Sequence, residues 1–140
     1  MRYTTDTVRI HIVEDNSANL LLLTLLLRDV LKVQHYKGHT SGRDFFNYVM
    51  SGPDPLPDVI LLDLQLPRED GYHVFDRIRA QPALRDARVI ACTAHVSRGS
   101  IERARAAGFD GFLAKPLEYE RFPTQMQQIL AGEQVWDCGK

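Results

Sequence analysis

The chain has 140 residues, enough for one ordinary domain with little left over. Apolar residues at 44% and charged residues at 25% give the balance of a soluble globular protein and exclude a disordered tail. Lys and Arg number 17 against 18 Asp and Glu, a net charge of −1, so no global basic field exists to hold nucleic acid or an anionic membrane.

The elements are predicted in chain order. Val8 to Val13 is rich in β-branched residues and predicts a strand. Asn16 or Ser17 caps a helix running to about Val30. Lys32 to Tyr36 is a weaker strand, and Thr40-Ser41-Gly42 opens a helix through Met50. Ser51 to Pro57 is a Gly/Pro loop. Asp58 to Asp63 is a continuous apolar run closed by a carboxylate, the mark of a strand buried on both faces. Pro67 to Gly71 is a loop, and Tyr72 to Ala80 a helix ended by Pro82. Val89 to Thr93 is a second buried strand, and Ser100 to Ala107 a helix closed by Gly108 as a left-handed C-cap. Gly111 to Ala114 is a fifth strand, and Pro123 opens a last helix with Met126, Ile129 and Leu130 on one face.

Five strands alternating with five helices predict an α/β fold, a doubly wound five-stranded parallel sheet with helices on both faces. In such sheets ligands bind at the carboxyl ends of the strands. Polar groups stand at four of those ends: Glu14-Asp15-Asn16, Asp63, Thr93-Ala94-His95 and Lys115-Pro116. Three converging carboxylates repel one another and are costly to desolvate. A hard divalent cation, Mg²⁺ or Mn²⁺, relieves that and keeps room in its shell for phosphate oxygens. Lys115 is a compact cation suited to a phosphate oxygen, and Thr93 offers a hydroxyl. The set suits a phosphoryl group carried on a carboxylate.

Val13-Glu14-Asp15-Asn16, Leu61-Leu62-Asp63-Leu64-Gln65-Leu66-Pro67, Asp70-Gly71, Thr93-Ala94 and Ala114-Lys115-Pro116 together resemble the receiver domain of bacterial two-component response regulators. The resemblance covers about residues 8–130, with 131–140 as a C-terminal tail. It implies a flavodoxin/CheY-like (βα)5 fold with strand order 2-1-3-4-5. Asp63 would be the phosphoacceptor, taking the group from a sensor histidine kinase or a histidine phosphotransfer protein. Glu14, Asp15, Asp63 and the backbone carbonyl of Gln65 would hold Mg²⁺. Thr93, Ala94 and Lys115 would meet the phosphoryl group, and Phe112 would be the switch aromatic, rotating inward as Thr93 moves. The Lys115–Pro116 bond would be cis. Gln65 and His95 flank the site and would tune dephosphorylation. The face built from the fourth helix, fifth strand and fifth helix would carry the change to a downstream protein.

On the first helix, a wheel with Leu23, Leu26, Leu27 and Val30 inward leaves Leu21 and Leu25 outside, as a docking patch for a kinase or phosphotransfer helix, as a dimer contact or as idle surface. His11 is expected to be a core or edge histidine. Competing functions fare less well. A phosphohydrolase of the haloacid dehalogenase type needs a general acid two residues after the nucleophile, where Gln65 stands. A dinucleotide-binding domain needs a Gly-rich loop after the first strand, and none is there. An unphosphorylated adaptor would not need the complete acidic set. No output domain is expected within 131–140. The two cysteines, Cys92 and Cys138, form no disulfide or zinc spacing. With no apolar signal segment and no apolar run near the roughly 20 residues of a membrane span, the expected location is a reducing cytoplasm.

Overall fold

A computed structural model describes residues 3–52, 55–94 and 96–137. The order is β1 (Arg9–Val13), α1 (Ser17–Leu25), β2 (His35–His39), α2 (Gly42–Ser51), β3 (Val59–Asp63), α3 (Gly71–Ala80), β4 (Arg88–Thr93), α4 (Arg98–Ala107), β5 (Gly111–Ala114) and α5 (Phe122–Leu130). All five strands are parallel, in the order β2-β1-β3-β4-β5. Alternate strand residues feed two cores. Ile10, Ile12, Leu61, Ile90 and Leu113 face Leu23 of α1, Leu27 of the turn that follows it, and Phe122 and Met126 of α5. Val13, Ile60, Leu62, Ala91 and Phe112 face Phe45, Val74, Phe75 and Ala104 of α2, α3 and α4. Both faces of β3 are therefore dry, which is why its sequence is apolar until Asp63.

The helix starts follow side-chain caps. Asn16, Ser41, Asp70 and Ser97 each accept a backbone N–H of the first turn. Ser97 and Ser100 bond reciprocally, so α4 starts two residues earlier than Ser100. Gly108 closes α4 at φ 105°, as expected of a left-handed cap. The Pro67–Gly71 loop carries more order than expected: Gln65 and Leu66 pair antiparallel with Asp70 and Glu69.

The second strand is displaced from the expected Lys32–Tyr36 to His35–His39. α1 ends in one π turn over Leu26–Val30, with Leu31 N–H donating to Leu26. Lys32 then takes φ 63°, and Val33 N–H returns to Leu27. Leu31 and Val33 are thus core residues of the helix end, not of a strand. Residues 133–137 of the tail fold back onto the sheet. After Gly132 (φ 92°), Phe112 N–H donates to Val135 O at 2.8 Å and Asp137 N–H to Phe112 O at 2.9 Å, a parallel bridge on the outer edge of β5.

Candidate functional site

The carboxyl ends of β1, β3, β4 and β5 meet at one edge. Glu14 follows β1 and is 1% exposed; Asp63 ends β3 and is 4% exposed; Asp15 is open to solvent. One carboxylate oxygen from each lies within 4.8 Å of the others, the one such acidic group among the described residues. Lys115, just beyond β5, reaches across to Glu14 and lies 3.2 Å from Asp63 Oδ2.

Local geometry fixes each group. Gln65 N–H donates to Asp63 Oδ1 at 2.9 Å and Asn16 N–H to Glu14 Oε2 at 3.1 Å, so each turn holds the carboxylate that precedes it. Gly71 starts α3 against the chain after β3: a Cβ there would stand 2.5 Å from Leu64 Cα and 2.8 Å from Asp63 O. Only a glycine lets α3 approach the Asp63 turn this closely. Thr93 is buried, and its carbonyl accepts Lys115 N–H at 2.8 Å, tying the ends of β4 and β5 together. The Lys115–Pro116 bond is cis.

The electrostatics are unbalanced. Burial pushes the Glu14 carboxyl up from its ordinary value, and nearby Asp63 adds to this, against the opposing pull of Lys115 and the Asn16 amide. Burial alone would lower the Lys115 ammonium, but its bond to Glu14 and the charge of Asp63 outweigh that and hold it above its usual range. One ammonium therefore serves Glu14 and Asp63 in a cluster of three carboxylates. Oxygen donors with a net negative charge fit a hard divalent cation. In Cys92, in register with Asp63 across β3 and β4, burial raises the thiol to about 12, so it stays protonated and uncharged beside the cluster.

Two hollows adjoin the cluster. One, of about 400 Å³, runs past Gln65, Asp70, Thr93, Ser100 and Arg103, with the Arg103 guanidinium 3.9 Å over the Tyr72 ring. Nothing in the sequence marks Tyr72 and Arg103 as neighbours, since they lie on different helices. The other, of about 260 Å³, is lined by Asn19, Leu22, Ala94, Lys115, Pro116 and Leu117. Its wall corrects the expected patch on α1. Leu21 is 59% exposed, but Leu25 is half-buried, and Leu22, 38% exposed, is the leucine beside the Lys115–Pro116 turn. A helical wheel gives the angle of a side chain, not where the neighbouring turn ends. Phe112 is fully buried, in the core beneath α4, and His95 lies outside the described residues.

Residues 10–127 match the response regulator receiver domain family. The chain belongs to that family. It is 40% identical over 123 residues to the signal transduction histidine-protein kinase BarA of Shigella flexneri, covering 88% of this chain but only 13% of BarA. It thus spans about an eighth of that relative's length. It is 33% identical to the polar-differentiation response regulator DivK of Brucella ovis, over 89% of this chain and 97% of DivK. Among solved structures it is similar to the signal receiver domain of a DNA binding response regulator protein (merR) from Colwellia psychrerythraea 34H, at 26% identity and a TM-score of 0.76, over 88% of this chain and 98% of that one. As a receiver domain it is a phosphoacceptor signalling switch, not a conventional enzyme. Among the described residues no helix is long and apolar enough to cross a membrane.

Proposed function

We propose that Asp63 is the residue that accepts the phosphoryl group, from a phosphohistidine on a sensor kinase or a phosphotransfer protein. The observation that carries this is the charge imbalance: three carboxylate oxygens within 4.8 Å of one another, two of the groups buried, against a single ammonium. Glu14, Asp15, Asp63 and the Gln65 carbonyl would hold Mg²⁺ or Mn²⁺, which when bound supplies the positive charge that lets anionic phosphate approach anionic Asp63.

The chain's own groups do the rest. The Gln65 amide holds Asp63 Oδ1, leaving the Oδ2 side toward Lys115. A carboxylate oxygen attacks phosphorus in line, the P–N bond breaks and the donor imidazole departs. Lys115 transfers its contact from the carboxylate to a phosphoryl oxygen, offsetting charge as it develops. Thr93, tied to Lys115 through the backbone, offers its hydroxyl to the same group. Added phosphate charge thus has differential contacts in two arrangements of the β4 and β5 ends, which shifts the balance between them. Phe112, in β5 between Lys115 and the tail, carries that shift to the α4–β5–α5 face. Leu22 lines the hollow beside Lys115 and, with exposed Leu21, forms the apolar patch on which a donor helix docks. The buried free thiol of Cys92 suits a reducing cytoplasm.

The test is incubation with acetyl phosphate and Mg²⁺. The chain should gain one phosphoryl group by intact mass, labile to hydroxylamine as an acyl phosphate is. Asp63→Asn should gain none; modification at unchanged stoichiometry in that variant overturns the assignment.

A further inference from the structure

The tail contacts form a built recognition surface with three separate parts. The first is backbone: the N–H and C=O of Phe112 both face the outer edge of β5 and bond Val135 and Asp137. Gly111 gives the access, since a Cβ there would come within 3.0 Å of the Val135 carbonyl. The second is an aromatic seat: the Arg105 guanidinium of α4 lies 4.5 Å over the Trp136 ring. The third is a carboxylate fork on α5: Arg121 Nη2 at 2.6 Å and Gln125 Nε2 at 2.9 Å from the two oxygens of Asp137. Arg88 anchors the turn that delivers the segment, donating to Glu133 O at 2.9 Å.

In strand addition the backbone bonds supply sequence-independent affinity and side-chain pockets supply choice. Here the pockets choose an aromatic followed by an acidic residue. The present occupant is short: it makes one bridge, and Val135 and Trp136 remain half-buried. Val135 and Trp136 pack on the margins of the two cores, so departure of the occupant would uncover those margins, and a partner segment that displaces it must cover the same surface. What keeps it in place is tethering, which gives a short linked segment an effective concentration on the order of millimolar. We propose that the outer edge of β5, between Arg105 and the Arg121–Gln125 pair, is a groove for an extended partner segment of apolar–aromatic–acidic type. Val135–Trp136–Asp137 occupies it in cis and sets the threshold such a partner must exceed. The proposal stands on the tail contacts alone and does not depend on which residue takes phosphate.

The probe is a fluorescein-labelled peptide with the sequence of residues 132–137, followed by anisotropy. It is titrated into the full chain and into the full-length variant carrying Trp136→Ser and Asp137→Ser. The variant should bind at least about tenfold more tightly than the unmodified chain, because its own tail no longer competes. Adding Arg121→Ala to the variant, or Asn for Asp in the peptide, should remove most of that binding. Equal affinity for the two chains, equal affinity for a peptide of scrambled order, or no saturable binding by a folded variant overturns the proposal. If the double variant does not fold, Asp137→Asn serves, read by hydrogen exchange. The Phe112 amide should exchange at least about tenfold faster while that of Leu61 in β3 is unchanged. An unchanged Phe112 rate counts against the groove.

Discussion

Asp63 and Asp137 are both buried carboxylates, 4% and 8% exposed, in opposite electrostatic settings. Asp137 takes a guanidinium on one oxygen and an amide on the other. Asp110 is likewise matched by a guanidinium and an amide, Arg79 and the Val89 N–H both donating to its Oδ2 at 2.8 Å. Asp63 also takes a cation and an amide, but it shares the Lys115 ammonium with Glu14 and stands in a cluster with a further carboxylate, Asp15. A buried carboxylate matched by donors is a fastening; one left in anionic excess fits the cation and phosphoryl group proposed for it. Charge balance, more than burial, separates structure from chemistry in this molecule.

The contrast can be broken in order of expected effect. Mg²⁺ at a hundredfold over its dissociation constant should stabilise the chain by about 2.7 kcal/mol, read as a rise in Tm. Asp15→Asn should abolish most of that rise, and a full rise in the variant would remove Asp15 from the metal set. Without metal, Asp137→Asn should cost about 1–3 kcal/mol because the Arg121 guanidinium loses its counter-charge. Asp63→Asn should cost little or be stabilising, as it relieves repulsion. Urea unfolding of both in EDTA decides; equal losses would erase the distinction.

Next in size, Leu21→Ser with Leu22→Ser should slow transfer from a cognate kinase about tenfold and leave acetyl phosphate labelling unchanged. Equal loss with both donors would count against docking on α1. The smallest effect concerns the other edge of the sheet. There His11 Nδ1 and His39 Nε2 lie 2.9 Å apart beneath Phe45 and Tyr48. Burial, helped by the charge of Lys37, lowers His39 from 6.5 to about 4. The folded state thus keeps this ring neutral where the unfolded chain protonates it. Its contribution is complete above pH 6.5 and is lost as pH falls toward 4. His39→Gln should flatten the stability profile across that window; an equally steep profile would assign the slope elsewhere.

The parts legible in the sequence were those where one residue type has one job. A carboxylate ending an apolar run and a lysine before proline mark strand ends on their own. Gly108 is legible as a left-handed cap, and Gly71 as part of a motif, although its reason, the close approach of α3 to the Asp63 turn, needed coordinates. The illegible parts depend on neighbours distant in sequence. β2 is an edge strand whose His-Tyr-Lys-Gly-His has only its last residue buried, so it carries no apolar signal. The π turn at the end of α1 shifts that strand and has no sequence mark. Leu22 matters because the Pro116 turn stands beside it. The tail pairs with β5 through backbone groups, and its two apolar residues are too few to announce a strand.

Trp136 is the chain's single tryptophan, and it rests on the edge of β5 under a guanidinium. The native sequence therefore contains its own optical probe at the edge proposed to take a partner segment. Its emission reports how wet that edge is, with no dye or engineered fluorophore, on any timescale a spectrometer can follow.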